Sequence, residues 1–169
     1  GLGDVYKRQE NGHVISYLYD ADGIKLRTTH IIGSDTTVTD YCGNVIYENG
    51  IPVKLLTEAG YVTLADSKYH YFVQDHLGNN RVVVDQSGNV EEVNHYYPFG
   101  GLLSSSVSNA VQPYKYNGKE LDRKNGLDWY DYGACMYDAA LGRWHAVDPM
   151  SEKYYSWSPY TYCKNNPVL

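Results

Sequence analysis

The chain has 169 residues and a formal net charge of -6, with an isoelectric point near 5.4, and its 14 Lys and Arg gather on no stretch, so the footprint of a nucleic-acid binder is missing. No apolar run approaches the roughly 18 residues that span a bilayer, and no basic-then-apolar signal segment opens the chain. Hydrophobic residues at 43% and charged residues at 20% are globular usage, not the composition of a disordered chain.

The hydrophobic share is unusual in kind, because 19 Tyr stand against 2 Phe and 2 Met. Tyrosine favours strands, where its ring covers apolar neighbours and its hydroxyl reaches water or a polar partner. The composition therefore predicts half-buried β walls, wet on one side, in place of an oily core. Cys42, Cys135 and Cys163 are odd in number and form no CxxC pair, so free cysteines are expected rather than a disulfide framework or a zinc site.

Residues 1–9, GLGDVYKRQ, do not resemble the rest of the chain and look like an adaptor-derived, non-native leader; the alternative is an ordinary leading strand. From Val14 the pattern is short strands and turns. Val14 to Tyr19 and Ile24 to Thr29 flank Asp20-Ala21-Asp22-Gly23, a turn in which an Asp bonds back to the backbone and a Gly takes the left-handed conformation. Val45 to Tyr47 and Ile51 to Val53 flank Glu48-Asn49-Gly50, a strong hairpin signal. Tyr69 to Val73, Arg81 to Val84 and Asn89 to Tyr97 are separated by Asp75-His76-Leu77-Gly78 and Asp85-Gln86-Ser87-Gly88, which makes a meander with Tyr69, Tyr71 and Val73 on one face.

Gly100 to Asn109, rich in Gly and Ser, is a surface loop by composition. Tyr114-Lys115-Tyr116 resumes strand character, and Gly118 to Asp122 fits a strand end or a helical turn. Trp129 to Tyr137 is the densest aromatic stretch. Asp138-Ala139-Ala140-Leu141-Gly142 is an Asp-led turn one residue longer than the others, and Arg143 to Val147 is a short strand ending at Asp148-Pro149. Ser151 to Tyr154 fits one helical turn, and no segment sustains the 3.6-residue period of a long helix. The fold class expected is all-β, with successive antiparallel hairpins and meanders and little helix.

Six elements resemble, in order, those of the RHS repeat-associated core domain, and the hairpins before them resemble its flanking YD repeats. Tyr19 and Asp20, with Gly23 and Lys25, match the YD repeat. Asp75, His76, Leu77, Gly78 and Arg81 match one core element, and Tyr97, Pro98, Phe99 and Gly100 match another. Asn117, Gly118, Lys119, Glu120 and Asp122 form a third. Tyr130, Tyr132, Gly133, Ala134, Tyr137, Asp138, Gly142, Arg143 and Trp144 form the fourth, with Cys135 where the family carries an arginine. Asp148 with Pro149, and Asn165, Asn166, Pro167 and Val168, close the set.

The resemblance implies YD-type repeats over 14–68, partly divergent over 31–68, and an RHS core over 69–169 that stops before the family's aspartate-based self-cleavage element. It further implies a hollow β-hairpin shell forming part of a spiral, wet on both surfaces. Such a shell encloses a variable C-terminal segment, often a toxin, in a secreted or cell-surface bacterial protein. The partners implied are the remainder of the shell, the enclosed cargo, and secretion machinery or surface partners. No cofactor, metal or catalytic residue is expected.

Three competing readings rest on residues. Cys135 and His145 resemble a nucleophile and its base across a hairpin, and Asp138 and Asp148 resemble a carboxylate pair, but a packed Cys, a surface His and two turn caps are the blander explanations. Trp129, Trp144 and Trp157 resemble platforms for sugar rings, although aromatic-rich strands more often pack.

Overall fold

A computed structural model describes residues 5–10, 13–108, 112–133 and 135–168. Asn109 of the expected loop, Ala134 of the aromatic element and residues 1–4 of the leader lie outside the described residues. The chain divides into two compact units, Gly1–Tyr71 and Phe72–Leu169. Both are built from short antiparallel strands, as the sequence predicts.

The first unit contains β1 (Val5–Glu10), β2 (His13–Tyr19), β3 (Lys25–Ile32), β4 (Asp35–Cys42), β5 (Val45–Glu48), β6 (Ile51–Thr57), β7 (Gly60–Thr63) and the start of β8 (Lys68–Gln74). Each strand pairs with the next. The described part of the leader forms most of β1 and pairs with β2. Residues 31–68, where the family resemblance is weakest, form hairpins as regular as the rest.

Turn chemistry sets these hairpins. Asp20 Oδ1 accepts the N–H of Asp22 at 2.9 Å and of Ile24 at 2.8 Å, and Gly23 has φ +77°. Asn49 and Gly50 both have positive φ, +50° and +81°, which gives the tight two-residue turn whose twist suits a hairpin.

The register places one stripe of buried side chains on one face. Tyr17 opposes Thr28 and Ile15 opposes His30, Tyr41 opposes Ile46, and Tyr61 opposes both Leu56 and His70. Of these, Ile15, Tyr17, Thr28, His30, Ile46, Tyr61 and His70 are buried. The stripe is partly cationic. Lys25 Nζ lies 4.6 Å from the Tyr41 ring centre, Lys54 Nζ lies 5.2 Å from that of Tyr61, and Tyr61 stacks on His70 at 4.4 Å. Tyr69, Tyr71 and Val73 do share a face of β8, but that face is the exposed one, and His70 between them carries the burial.

The second unit continues with β9 (Asn80–Asp85), β10 (Val90–Val93) and β11 (Val107–Ser108). A smaller sheet follows in the order β12 (Glu120–Asp122), β13 (Trp129–Asp131), β14 (Met136–Asp138) and β15 (Arg143–Trp144). Single 3-10 turns at Tyr116–Gly118, Lys124–Gly126, Ser151–Lys153 and Cys163–Asn165 are the helical content of the described residues. The Gly118 to Asp122 ambiguity resolves as a turn leading directly into a strand.

The structure corrects two expectations. Residues 100–108 are not simply a surface loop, because Gly100 is buried, Leu102 pairs with Tyr96, and β11 pairs with β10. The composition hid this because a glycine required by close packing looks the same in sequence as a glycine in a loop. The strand expected over 143–147 covers only Arg143–Trp144.

Gly60 has φ +153°, and a Cβ there would meet the His70 carbonyl oxygen at 1.9 Å. Gly60→Ala is expected to lower unfolding stability by about 2–4 kcal/mol in denaturant titrations, whereas Gly88→Ala, which meets nothing within 4 Å, is expected to cost only the strain of its positive φ.

Candidate functional site

Several of the elements recognised in the sequence meet in one frame of tyrosines in the second unit. Its buried centre is Tyr116, Leu121, Tyr130, Tyr137 and Tyr162, with Tyr96, Phe99, Leu102, Tyr132, Ala139 and Trp144 packed against it. A phenol can be buried only if its hydroxyl finds a partner. Three hydroxyls find theirs on three successive carbonyls of one turn. Tyr116 donates to Pro98 O at 2.9 Å, Tyr137 to Phe99 O at 2.8 Å and Tyr130 to Gly100 O at 2.9 Å.

This explains the residue types of that turn. Gly100 has φ +88°, and a Cβ would lie 2.6 Å from Cδ1 of the Tyr116 ring, so only glycine fits. Gly142 closely approaches the Phe99 ring, with a Cβ position 3.1 Å from its Cδ1.

A second knot forms around Asn117, whose φ of +50° lies in the left-handed region that Asn tolerates. Its Oδ1 accepts from Tyr132 OH at 2.7 Å and from Tyr162 OH at 2.8 Å. Its backbone N–H donates to Asn79 Oδ1 at 2.8 Å, and its Nδ2 donates to Leu77 O at 2.9 Å. The Asp75-led turn is thereby tied to the Asn117-led element.

Asp75 itself accepts the N–H groups of Leu77 and Asn79 and pairs with Arg81 Nε at 2.7 Å. The Arg81 guanidinium lies 5.1 Å from the Tyr96 ring centre. His76 is exposed at the tip of this turn, and Gly78 has φ +76°. Gly118 approaches Gly78 O, and Lys119 Nζ lies 5.3 Å from the Tyr132 ring centre. Glu120 opposes Asp131 in the small sheet, and the Gly133 N–H donates to Asp131 Oδ1. Pro167 is buried while Asn166 and Pro149 are exposed. Tyr19 is buried, with Asp20 and Gly23 beside it in sequence, in the first unit.

The residues considered for chemistry are committed elsewhere. Asp138 Oδ1 caps its turn by accepting the N–H of Ala140 and Leu141, and Oδ2 lies 3.3 Å from His145 Nε2. His145 is not a surface residue: its side chain is 17% exposed and lies against the Trp129 ring, with ring centres 3.5 Å apart. Asp148 Oδ1 caps its own turn at the Met150 N–H. Burial, and after it the Asp148 carboxylate, push the Cys135 thiol up, which disfavours the thiolate a nucleophile needs. Among the described residues no group of three or more His, Cys, Asp and Glu could hold a metal. Trp129 is buried, and Trp144 packs at right angles to Tyr132. Trp157 lies in a cleft of about 220 Å³ with Tyr154, Asp148 and Lys164.

Sequence reasoning missed the roles of Asn79 and Asn117, as well as a buried polar cluster of Glu92, Asn94, Gln112 and Lys115. No spacing signal links residues so far apart. The tyrosines were expected to be wet, yet Tyr17, Tyr61, Tyr116, Tyr130 and Tyr137 are among the most deeply buried side chains.

Burial pushes the phenols of Tyr96, Tyr116, Tyr130, Tyr132, Tyr137 and Tyr162 up. The unfolded chain therefore loses these protons first, from about pH 10. Their contribution is full below that pH and is lost as pH rises through the folded values. Denaturant midpoints are expected to hold from neutral pH to about pH 9 and to fall above about pH 10, with phenolate absorbance appearing together with unfolding. Tyr137→Phe, which strands the Phe99 carbonyl, is expected to cost about 1–3 kcal/mol in the same measurement.

No family model matches the chain. It is 39% identical over 105 residues to salivary gland surface protein 1 of Aedes aegypti, a match of 61% of this chain and 3% of that protein. It is 28% identical over 148 residues to toxin subunit YenC1 of Yersinia entomophaga, covering 78% of this chain and 15% of that one. Toxin subunit YenC2 of the same organism is 35% identical over 89 residues, 50% of this chain and 9% of the relative. The chain thus spans 15% or less of these relatives. Among solved structures, TcdB2-TccC3 without its hypervariable C-terminal region matches 95% of this chain with a TM-score of 0.75 at 20% identity, within 9% of its own length. The Photorhabdus luminescens Tc holotoxin pore matches the same share with a TM-score of 0.74 at 22% identity. The chain therefore shares the fold of a segment of the Tc toxin complexes and is similar in sequence to bacterial toxin subunits.

Proposed function

We propose that this chain is a wall segment of an RHS-type shell that encloses a variable C-terminal segment, a toxin, within a secreted bacterial protein. One observation carries the reading: the fold of Tc toxin complexes extends over 95% of the chain; the tyrosine frame of the second unit, which draws on elements matching the RHS core, supports it. The name of the matched structure, which specifies a hypervariable C-terminal region, supports a constant wall followed by a changing cargo. The partners are the rest of the shell and the cargo, and delivery runs through secretion or surface machinery.

The wall has no catalytic role of its own in this reading. The hydroxyls and amides at the tyrosine frame are spent on holding backbone and one another, and Cys135 is kept as a neutral thiol. Cys135→Ala in the full-length protein is expected to leave toxicity toward target cells unchanged.

The test is limited proteolysis of the full-length native protein. The segment following the wall is expected to survive protease at native pH and to be digested once the shell is opened by denaturant. Digestion of that segment at the same rate in both states would overturn the enclosure.

A further inference from the structure

Inside the second unit, apart from the tyrosine frame, four polar side chains are buried together. Glu92 in β10 and Lys115 are each 3% exposed at the side chain, and Asn94 and Gln112 are buried beside them. Lys115 Nζ lies 2.5 Å from Glu92 Oε1, Gln112 Nε2 donates to the same oxygen at 2.8 Å, and Asn94 Nδ2 donates to it as well. One carboxylate oxygen thus touches a lysine amine and an asparagine amide at once.

The contact is an ion pair of an ammonium and a carboxylate. Passing one proton from Lys115 to Glu92 replaces them with a neutral amine, a nucleophile, and a neutral carboxyl, an acid. Two carboxamides, of Gln112 and of Asn94, sit on the same Glu92 oxygen as Lys115, and the more firmly fixed of them is Asn94. Its nitrogen is fixed on two sides, by Glu92 and by Asn80 O at 3.1 Å. Its Oδ1, like Gln112 Oε1, is buried and, among the described residues, carries no hydrogen bond, so the carbonyl is open to a proton that polarises Cγ. The Gln112 nitrogen has Glu92 as its acceptor and, among the described residues, no second anchor of this kind. Water is excluded, which protects the amide against hydrolysis, and held geometry replaces a chance encounter.

We propose that Lys115 and Asn94 become joined by an intramolecular isopeptide bond, with Glu92 relaying the proton. The Nζ–Cγ bond forms and the Cγ–Nδ2 bond breaks. One Nζ proton reaches Nδ2 through Glu92, and ammonia leaves. Nothing is oxidised or reduced, and no co-reactant is needed. The product ties the end of β10 covalently to the strand-like segment before the Tyr116–Gly118 turn, and so closes the loop that contains the Pro98–Gly100 carbonyls. Closing a loop in this way restricts the unfolded chain as a disulfide does, but the link survives reduction. The bond requires nothing of a shell or a cargo.

Mass spectrometry of the full-length protein tests it. Chymotryptic digestion cuts between Asn94 and Lys115, at Tyr96, Phe99 and Tyr114. The native protein is expected to yield two arms still joined through Asn94 and Lys115, lighter than their sum by one ammonia, about 17 Da. Lys115→Arg and Glu92→Ala are each expected to yield separate arms of unmodified mass. Separate arms from the native wild-type protein would overturn the proposal. So would a lost ammonia without joined arms, the signature of an Asn94 imide, or a bond from Lys115 to Gln112. The wild-type digest decides by itself, whether or not either variant folds.

Discussion

The second unit depends on one requirement: a buried phenol must give its proton to something. The hydroxyls of Tyr116, Tyr137 and Tyr130 give theirs to the carbonyls of Pro98, Phe99 and Gly100. Each bond satisfies two groups whose burial would otherwise cost free energy, a side-chain hydroxyl and a turn carbonyl. The rings then form the core that Leu and Phe form elsewhere. The turn has to present its carbonyls inward, which leaves no room for a side chain at Gly100 beside the Tyr116 ring. The sheet of β12 to β15 places Tyr130 and Tyr137 opposite each other, which brings their hydroxyls to neighbouring carbonyls.

Around this frame the chain repeats one local device. Asp20, Asp75 and Asp85 each accept backbone N–H groups two and four residues on, and Asp138 accepts from two and three on in its longer turn. The device ends a strand and reverses it without help from distant residues, which suits a wall built by adding hairpins. At Asp75 a further layer is added. Asn79 reaches Asn117, and Asn117 reaches Tyr132 and Tyr162, so a local turn becomes an anchor for segments far along the chain.

Polar groups placed this way support short strands. Strands as short as β13 and β14 contribute few ladder bonds, and the side-chain bonds to backbone make up the difference. At this frame the phenol hydroxyls are engaged with backbone carbonyls and with Asn117. Asp138, His145 and Asp148 look like reagents in sequence, but Asp138 and Asp148 cap turns, Asp138 pairs with His145, and His145 packs on Trp129. Glu92, Asn94 and Lys115 are the exception, since the contacts of Glu92 with the other two cap no turn.

The sequence by itself determined the all-β class, the hairpins around its turn signals and the four Asp-led turns, because each depends on residues within a few positions of one another. Asn49-Gly50 and Asp85 to Gly88 took their turns for the same reason. It also carried the six elements in order, although not what they do to each other. The tertiary structure decided which tyrosines are dry. A tyrosine's code is the same in a wet wall and in a dry core, and only the partner of its hydroxyl distinguishes them. That partner is a carbonyl 18 residues away for Tyr116 and 38 away for Tyr137. The same holds for Gly100, which composition placed in a loop and packing placed under a ring, and for Glu92 and Lys115, which burial alone makes a pair.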